Sequence, residues 1–200
     1  MRLFRREEVG SPVDLLVAGL GNPGSEHAHD RHNVGWMVVD ELARRHGGSW
    51  RGKFGGRIAE VRIDDHKVVL LKPETYMNES GRAVRAAASY FKVDPDSILV
   101  VHDEGDFDLG RLQARLGGGT AGHNGIRSVA QHLATPEFLR LRIGVGRPER
   151  GDRRSLADFV LADFESHEDR EGIVSRAADA VETLDAEGLD AAQRRFNERG

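Results

Sequence analysis

The chain contains no cysteine. That excludes disulfides, thiolate nucleophiles and cysteine-ligated zinc or iron–sulfur centres. No apolar run approaches the ~18 residues of a membrane-spanning helix. The opening "MRLFRREEVGSP" has basic residues with no apolar core behind them, so a secretory signal is not expected. No internal repeat or biased linker interrupts the 200 residues, which suffice for one domain with a sizeable core. With 38% hydrophobic and 31% charged residues, the composition is that of a soluble globular protein. The expectation is a cytoplasmic chain with a loose polar leader at 1–12, one domain at 13–200 and no membrane partner.

The charge is uneven. A net −4 hides nine arginines against three acids in residues 111–154, followed by five arginines against twelve acids in 155–200. A local basic band is the footprint that an anionic partner requires. Arginines scattered over a solvated face would give the same composition.

"VDLLVAGLG" (13–21) is a short apolar run ending in glycine, the pattern of a buried strand. "NVGWMVVDELARRHG" (33–47) sets Val34, Met37, Val38 and Leu42 at helical spacing and stops on basic residues and glycine. Strands are expected at 56–63, 67–73, 97–103, 111–117 and 138–146, and helices at 79–92 and 124–134. The tail from Ser166 to Arg199 reads as helical, with an acidic outer face at a solvated edge of the domain. This order predicts an α/β fold: a single domain with a mixed, twisted sheet and helices packed on both faces. Ligands of open α/β sheets bind beyond the carboxyl ends of strands. The loops there, "NPGSEHAHDRHN", "PETYMN" and "HDEGD", together with "GGGTAGHN", hold nearly all the unusual polar residues.

Gly19, Gly21 and Gly24 spell the G-x-G-x-x-G of dinucleotide sites. That reading fails locally: Pro23 and Gly24 make a turn, and eight polar residues precede the helix that should receive the phosphates. A metal site remains open, since His27, His29, His32, the His102–Asp103 pair and His123 could supply ligands, though their spacing matches no defined signature. A general base also remains open. His32, just before a helix, and Asp103, at a strand end, are a plausible imidazole–carboxylate pair. No serine lies in a nucleophile elbow, so water would attack directly. Asn22, Asn78 and Asn124 offer neutral amides for a polar backbone or an oxyanion.

"GLGNPG…RHNVG", "KPETYMNESG", "VVHDEGD", "GGGTAGHNGIRS" and "RLRIGVGRP" together resemble the bacterial-type peptidyl-tRNA hydrolases, in the same order and spacing from about Leu15 to Phe164. The resemblance implies a metal-free, cofactor-free esterase, working as a monomer, that cleaves the ester joining a peptide to the terminal ribose of tRNA. It makes His32 the base that activates water and Asp103 its orienting carboxylate. Asn22 then contacts the peptide near the scissile bond. Asn78 and Asn124, with Tyr76, His27 and His123 beside them, hold the substrate or its terminal nucleotide, and Arg115 and Arg142 contact tRNA phosphates. The chain departs from the family pattern in three places. His27 stands where tyrosine is usual, Asp30 where threonine is usual, and Glu74 and Glu79 replace glutamine and leucine. Those departures raise a second reading, a non-catalytic RNA-binding protein on the same fold.

Overall fold

The run Leu15–Gly19 forms β1, the central strand, and it is buried along its whole length. Leu15 and Val17 face one apolar core and Leu16 and Ala18 the other, so an uninterrupted apolar run is what this strand needs. The computed structural model describes residues 12–197; the expected leader, apart from Pro12, lies outside the described residues. The other strands are β2 (Arg51–Lys53), β3 (Gly56–Ile63), β4 (His66–Pro73), β5 (Ile98–Glu104), β6 (Leu112–Leu116) and β7 (Leu139–Gly144). They form one seven-stranded sheet in the order β2-β3-β4-β1-β5-β7-β6. β1 runs parallel to β4 and β5, and β5 parallel to β7. β3–β4, β2–β3 and β6–β7 pair antiparallel. The sheet is therefore mixed, as expected.

Helices cover both faces. α1 (Val34–Arg45), α5 (Arg170–Glu187) and α6 (Leu189–Phe196) pack on the Leu15/Val17 side. α2 (Ser80–Phe91) and α3 (Asn124–Leu133) pack on the Leu16/Ala18 side. Each fully buried Leu, Ile or Val in these layers contributes roughly 1.5–3 kcal/mol of transfer free energy.

The C-terminal segment differs from its expected place at a solvated edge. Ala177, Ala178, Ala180, Val181 and Leu184 of α5 are buried against the sheet, and only the opposite face is acidic. There Asp179 and Glu182 accept hydrogen bonds from Arg45 of α1. The inward stripe is mostly alanine, whose weak hydrophobic signal is masked in sequence by the acids around it. Gly188, at φ 87°, breaks the segment into two helices.

One short helix was also unanticipated. α4 (Leu156–Val160) starts at a capping box, with Ser155 Oγ accepting from the Asp158 amide at 3.1 Å and the Asp158 carboxylate accepting from the Ser155 amide at 3.4 Å. The S-x-x-D spacing is a legible helix start, but five residues are too few to show a period.

Candidate active site at the carboxyl ends of β1 and β5

The first glycine of the G-x-G-x-x-G pattern serves helix packing. A Cβ on Gly19 would strike the Gly35 carbonyl, and one on Gly35 would strike Val101 O and the Leu20 backbone. Two glycines thus let the first turn of α1 lie directly on β1 and β5. This contact carries the preceding short 3-10 turn, Arg31–Asn33, over the end of β5, where Asp103 sits. No phosphate is needed to explain these glycines.

His32 Nδ1 and Asp103 Oδ2 are 2.8 Å apart, although 71 positions separate the residues in sequence. On the other carboxylate oxygen, His123 Nε2 lies 2.8 Å from Asp103 Oδ1. The state of His123 follows from its second nitrogen. Nδ1 accepts from the backbone amides of Gly125 and Ile126, at 3.1 and 3.3 Å, capping α3. An acceptor nitrogen carries no proton, so Nε2 carries it and donates to Asp103. The ionised Asp103 accepts from His32 Nδ1–H in turn, so in the neutral imidazole the lone pair is on Nε2, which has no partner among the described residues.

Burial works against the Asp103 carboxylate, but the flanking His32 and His123 outweigh it and hold Asp103 far below the usual range. Burial likewise disfavours imidazolium at His32. The Asp103 charge and hydrogen bond, with a smaller contribution from Asp30, outweigh it, so His32 titrates above its ordinary 6.5. His102 goes the other way: burial, then His123, pushes it well below 6.5, and its Nε2 is buried with no partner among the described residues.

His32, Asp103 and His123 line a crevice of about 720 Å³. Asn22, Tyr76, Asn78 and Asn124 line it too, opposite an apolar wall of Leu156, Ala157, Val160 and Leu161 from and beside α4. Asn22 is held on three sides. Its amide N–H donates to Asn33 Oδ1 at 2.8 Å, its carbonyl accepts from Asn33 Nδ2 at 2.9 Å, and its Oδ1 accepts from the Met77 amide at 2.8 Å. The group of Asn22 left over is its Nδ2 donor. Asn78 and Asn124 follow from the starts of α2 and α3, and Tyr76 stands exposed at the rim.

Three residues sit differently from expectation. His27 is absent from the crevice lining; its Nδ1 lies 2.6 Å from buried Asp30. His123 lines the crevice, but both its ring nitrogens are engaged by the protein, so it buttresses Asp103 instead of offering a free group to substrate. Arg142 is bound to Glu104 Oε2 at 2.8 and 3.1 Å and to Gln113 Oε1, so it has little guanidinium left for a phosphate. Arg115, by contrast, has no side-chain partner among the described residues; it lies against Gly118, where a Cβ would collide with it.

Three residues that sequence reasoning passed over build the site from behind. Asn33 locks Asn22 and is buried. Arg31, also buried, donates to Val145 O and Glu168 at 3.0 Å and lies over the Phe159 ring at 4.3 Å, joining the His32 turn to α4. Arg140 donates to the carbonyls of Gly119, Gly118 and Pro136 at 2.6, 2.8 and 3.0 Å and so fixes the loop before His123. Burial, then Arg115 and Arg142, lower Arg140 to about 10. Asn33 and Arg31 flank His32 inside a motif already singled out, and that adjacency was the available signal. Arg140 gave none, because it looks like any alternating arginine on a strand.

His32, Asp103 and His123 are also the group whose ligand atoms lie within 4.8 Å of one another. Both Asp103 oxygens already accept imidazole N–H bonds, and the backbone of α3 occupies His123 Nδ1. The trio is a hydrogen-bonded relay, not a ligand set.

An imidazole–carboxylate pair at the carboxyl ends of the strands of an α/β sheet, in a crevice lined by amides, is an arrangement suited to a hydrolytic α/β enzyme. The sequence profile of the family described as peptidyl-tRNA hydrolase matches residues 16–200. The peptidyl-tRNA hydrolase of Mycolicibacterium smegmatis is 51% identical over 183 residues, covering 90% of this chain and 95% of that protein. That of Arthrobacter sp. (strain FB24) is 47% identical over 187 residues, covering 91% and 95%. The crystal structure of peptidyl-tRNA hydrolase from Acinetobacter baumannii superposes with a TM-score of 0.85 at 37% identity, covering 94% of this chain and 97% of that one. The chain belongs to the peptidyl-tRNA hydrolase family. A 5′-methylthioadenosine nucleosidase from Arabidopsis thaliana, at TM-score 0.55 and 11% identity, shares the fold alone. Among the described residues no helix is long and apolar enough to cross a membrane.

Proposed function

We propose that the protein hydrolyses the ester between a peptide and the terminal ribose of tRNA, with His32 as general base. The observation that carries this reading is the 2.8 Å contact between His32 Nδ1 and Asp103 Oδ2 inside the amide-lined crevice. With Nδ1–H held by the carboxylate, Nε2 presents its lone pair to a water. The water oxygen attacks the ester carbonyl while Nε2 takes its proton, and Asp103 stabilises the imidazolium that forms. The oxyanion of the tetrahedral intermediate accepts from neutral amide donors, with Asn22 Nδ2 best preset because Met77 holds its oxygen. Collapse breaks the bond to the ribose oxygen, which recovers the proton from His32. Free peptide and free tRNA result, and no covalent intermediate or cofactor is required.

Asn78, Asn124 and Tyr76 hold the substrate end across the crevice. Arg115, on the β6 edge, contacts phosphate without reading base sequence, as an enzyme serving many tRNAs needs. The action is that of a cytoplasmic monomer. His32→Ala is expected to cut single-turnover hydrolysis of peptidyl-tRNA by ~10²–10⁴-fold with tRNA affinity nearly unchanged. Full turnover in that variant would remove His32 from the base role, and binding without turnover in the unaltered protein would favour the RNA-binding reading.

A further inference from the structure

Three imidazoles close around one aspartate at the end of β5. His32 Nδ1–H donates to one carboxylate oxygen of Asp103 and His123 Nε2–H to the other, each at 2.8 Å. His102 Nδ1–H donates to the Asp103 backbone carbonyl, also at 2.8 Å. The His123 ring is wedged between the other two, its centroid 5.2 Å from that of His32 and 4.9 Å from that of His102. Its backbone is pinned as well: its N–H donates to Thr120 O at 2.9 Å, and its carbonyl accepts from Arg127 N–H at 3.0 Å. From this one seat His123 touches both Asp103 and the start of α3.

The two contacts need different atoms on one side chain. The δ nitrogen accepts from the Gly125 and Ile126 amides as the cap of α3, and the ε nitrogen, across the ring, donates to Asp103. Serine, threonine, asparagine or aspartate would cap the helix equally well, yet none carries a donor beyond its capping atom that could reach the carboxylate. We infer that His123 is a positioning residue for the hydrolytic reaction: it fixes the Asp103 carboxylate so that Oδ2 faces His32, and it ties Asn124, the first residue of α3, to the same aspartate. This rests on His32 being the general base.

A carboxylate held by a single donor can turn about its last side-chain bond and offer either oxygen to that donor. The second donor removes this freedom. The plane of the carboxylate then sets the plane of the His32 ring, whose Nε2 must aim at the attacking water. Asn124 lines the crevice from the position next to the cap, so the same side chain keeps the grip on the substrate end in step with the base. His123 reaches the reacting atoms only through Asp103.

One substitution separates the two contacts. His123→Asn keeps an acceptor at the δ position, so α3 stays capped, but it has no ε atom for Asp103. It should lower kcat for peptidyl-tRNA hydrolysis by about 10–10²-fold, with KM and the melting temperature close to those of the unaltered protein. Placed beside Asp103→Asn, the same substitution should cost almost nothing more, because a residue that acts through Asp103 has nothing left to position. A merely structural role would lower the melting temperature and add its full loss in both backgrounds. An unchanged kcat in folded His123→Asn, or a full further loss beside Asp103→Asn, overturns the inference; while His32→Ala remains inactive, the general-base reading is spared. An active His32→Ala overturns both. Should His123→Asn not fold, nitrogen NMR of the unaltered protein decides: the ring proton of His123 is expected on Nε2, and finding it on Nδ1 overturns the inference.

Discussion

The molecule uses the same chemical pair at opposite ends of its sheet, with opposite results. At the carboxyl ends of β1 and β5, His32 meets Asp103 at 2.8 Å; where β4 begins, His66 meets Asp185 at 3.1 Å. Both carboxylates are 3% exposed. Asp103 has an imidazole on each oxygen and is held far down. Burial pushes Asp185 up, and its one imidazole, 44% exposed and shared with solvent, fails to reverse this beside Asp14 and Asp64. A histidine next to an aspartate is therefore not yet a catalytic dyad. What separates the two is the number of donors on the carboxylate and whether a crevice opens on the free nitrogen.

The largest test of this contrast is activity. Asp103→Asn should lower turnover by ~10²–10⁴-fold, because the amide can present its N–H to His32 and favour the wrong tautomer. Asp185→Asn should leave turnover unchanged. Equal losses in a peptidyl-tRNA assay would erase the distinction.

Within the crevice end, grip should separate from chemistry. Arg115→Ala is expected to weaken tRNA binding and reduce the slope of log affinity against log salt by about 1, with saturated turnover preserved. A slower saturated turnover would place Arg115 in the chemical step.

Stability should divide the two carboxylates by sign. Asp103 has its folded pKa below the unfolded value, so it contributes stability above pH ~4 that is lost as pH falls through the folded value. Asp185 has its folded pKa raised, so its favourable contribution is fully present below pH ~4 and is lost as pH rises through the folded value. At pH 7, Asp103→Asn should cost about 1.5–3 kcal/mol, whereas Asp185→Asn should be at least as stable as the parent. Urea midpoints for both variants check this, and a clear loss at Asp185 would sink the comparison. Smallest of all is His66→Ala: the imidazole is exposed and screened by solvent, so its loss should cost under about 1 kcal/mol in the same assay.

Much of the site was legible because its residues cluster in loops after apolar runs. His32 precedes a helix pattern, Asp103 ends a buried strand, and the three asparagines sit in turn-rich segments. What sequence could not show was the state of each group. His123 looked like a free contact until its Nδ1 was seen under the amides of α3. Arg142 and Arg115 alternate on adjacent strands, and cross-strand neighbours alone decide that one is consumed by Glu104 and Gln113 while the other stays free. His27 and Asp30 looked like departures at two separate positions, yet they form one couple.

By itself the sequence determined the alternation of strands and helices, through apolar runs and 3.6-residue periods that are local properties of the chain. It also determined which residue types collect at the strand ends. Tertiary structure alone decided which histidine meets which carboxylate, which nitrogen carries the proton, and which arginines remain unpaired. These depend on contacts that chain distance does not announce, 71 positions for His32 and Asp103 and 20 for His123 and Asp103, the first made possible by two glycines that let α1 touch the sheet. Hydrogen-bond partners across such distances leave no period to read, and they hold the Asp103 carboxylate ionised.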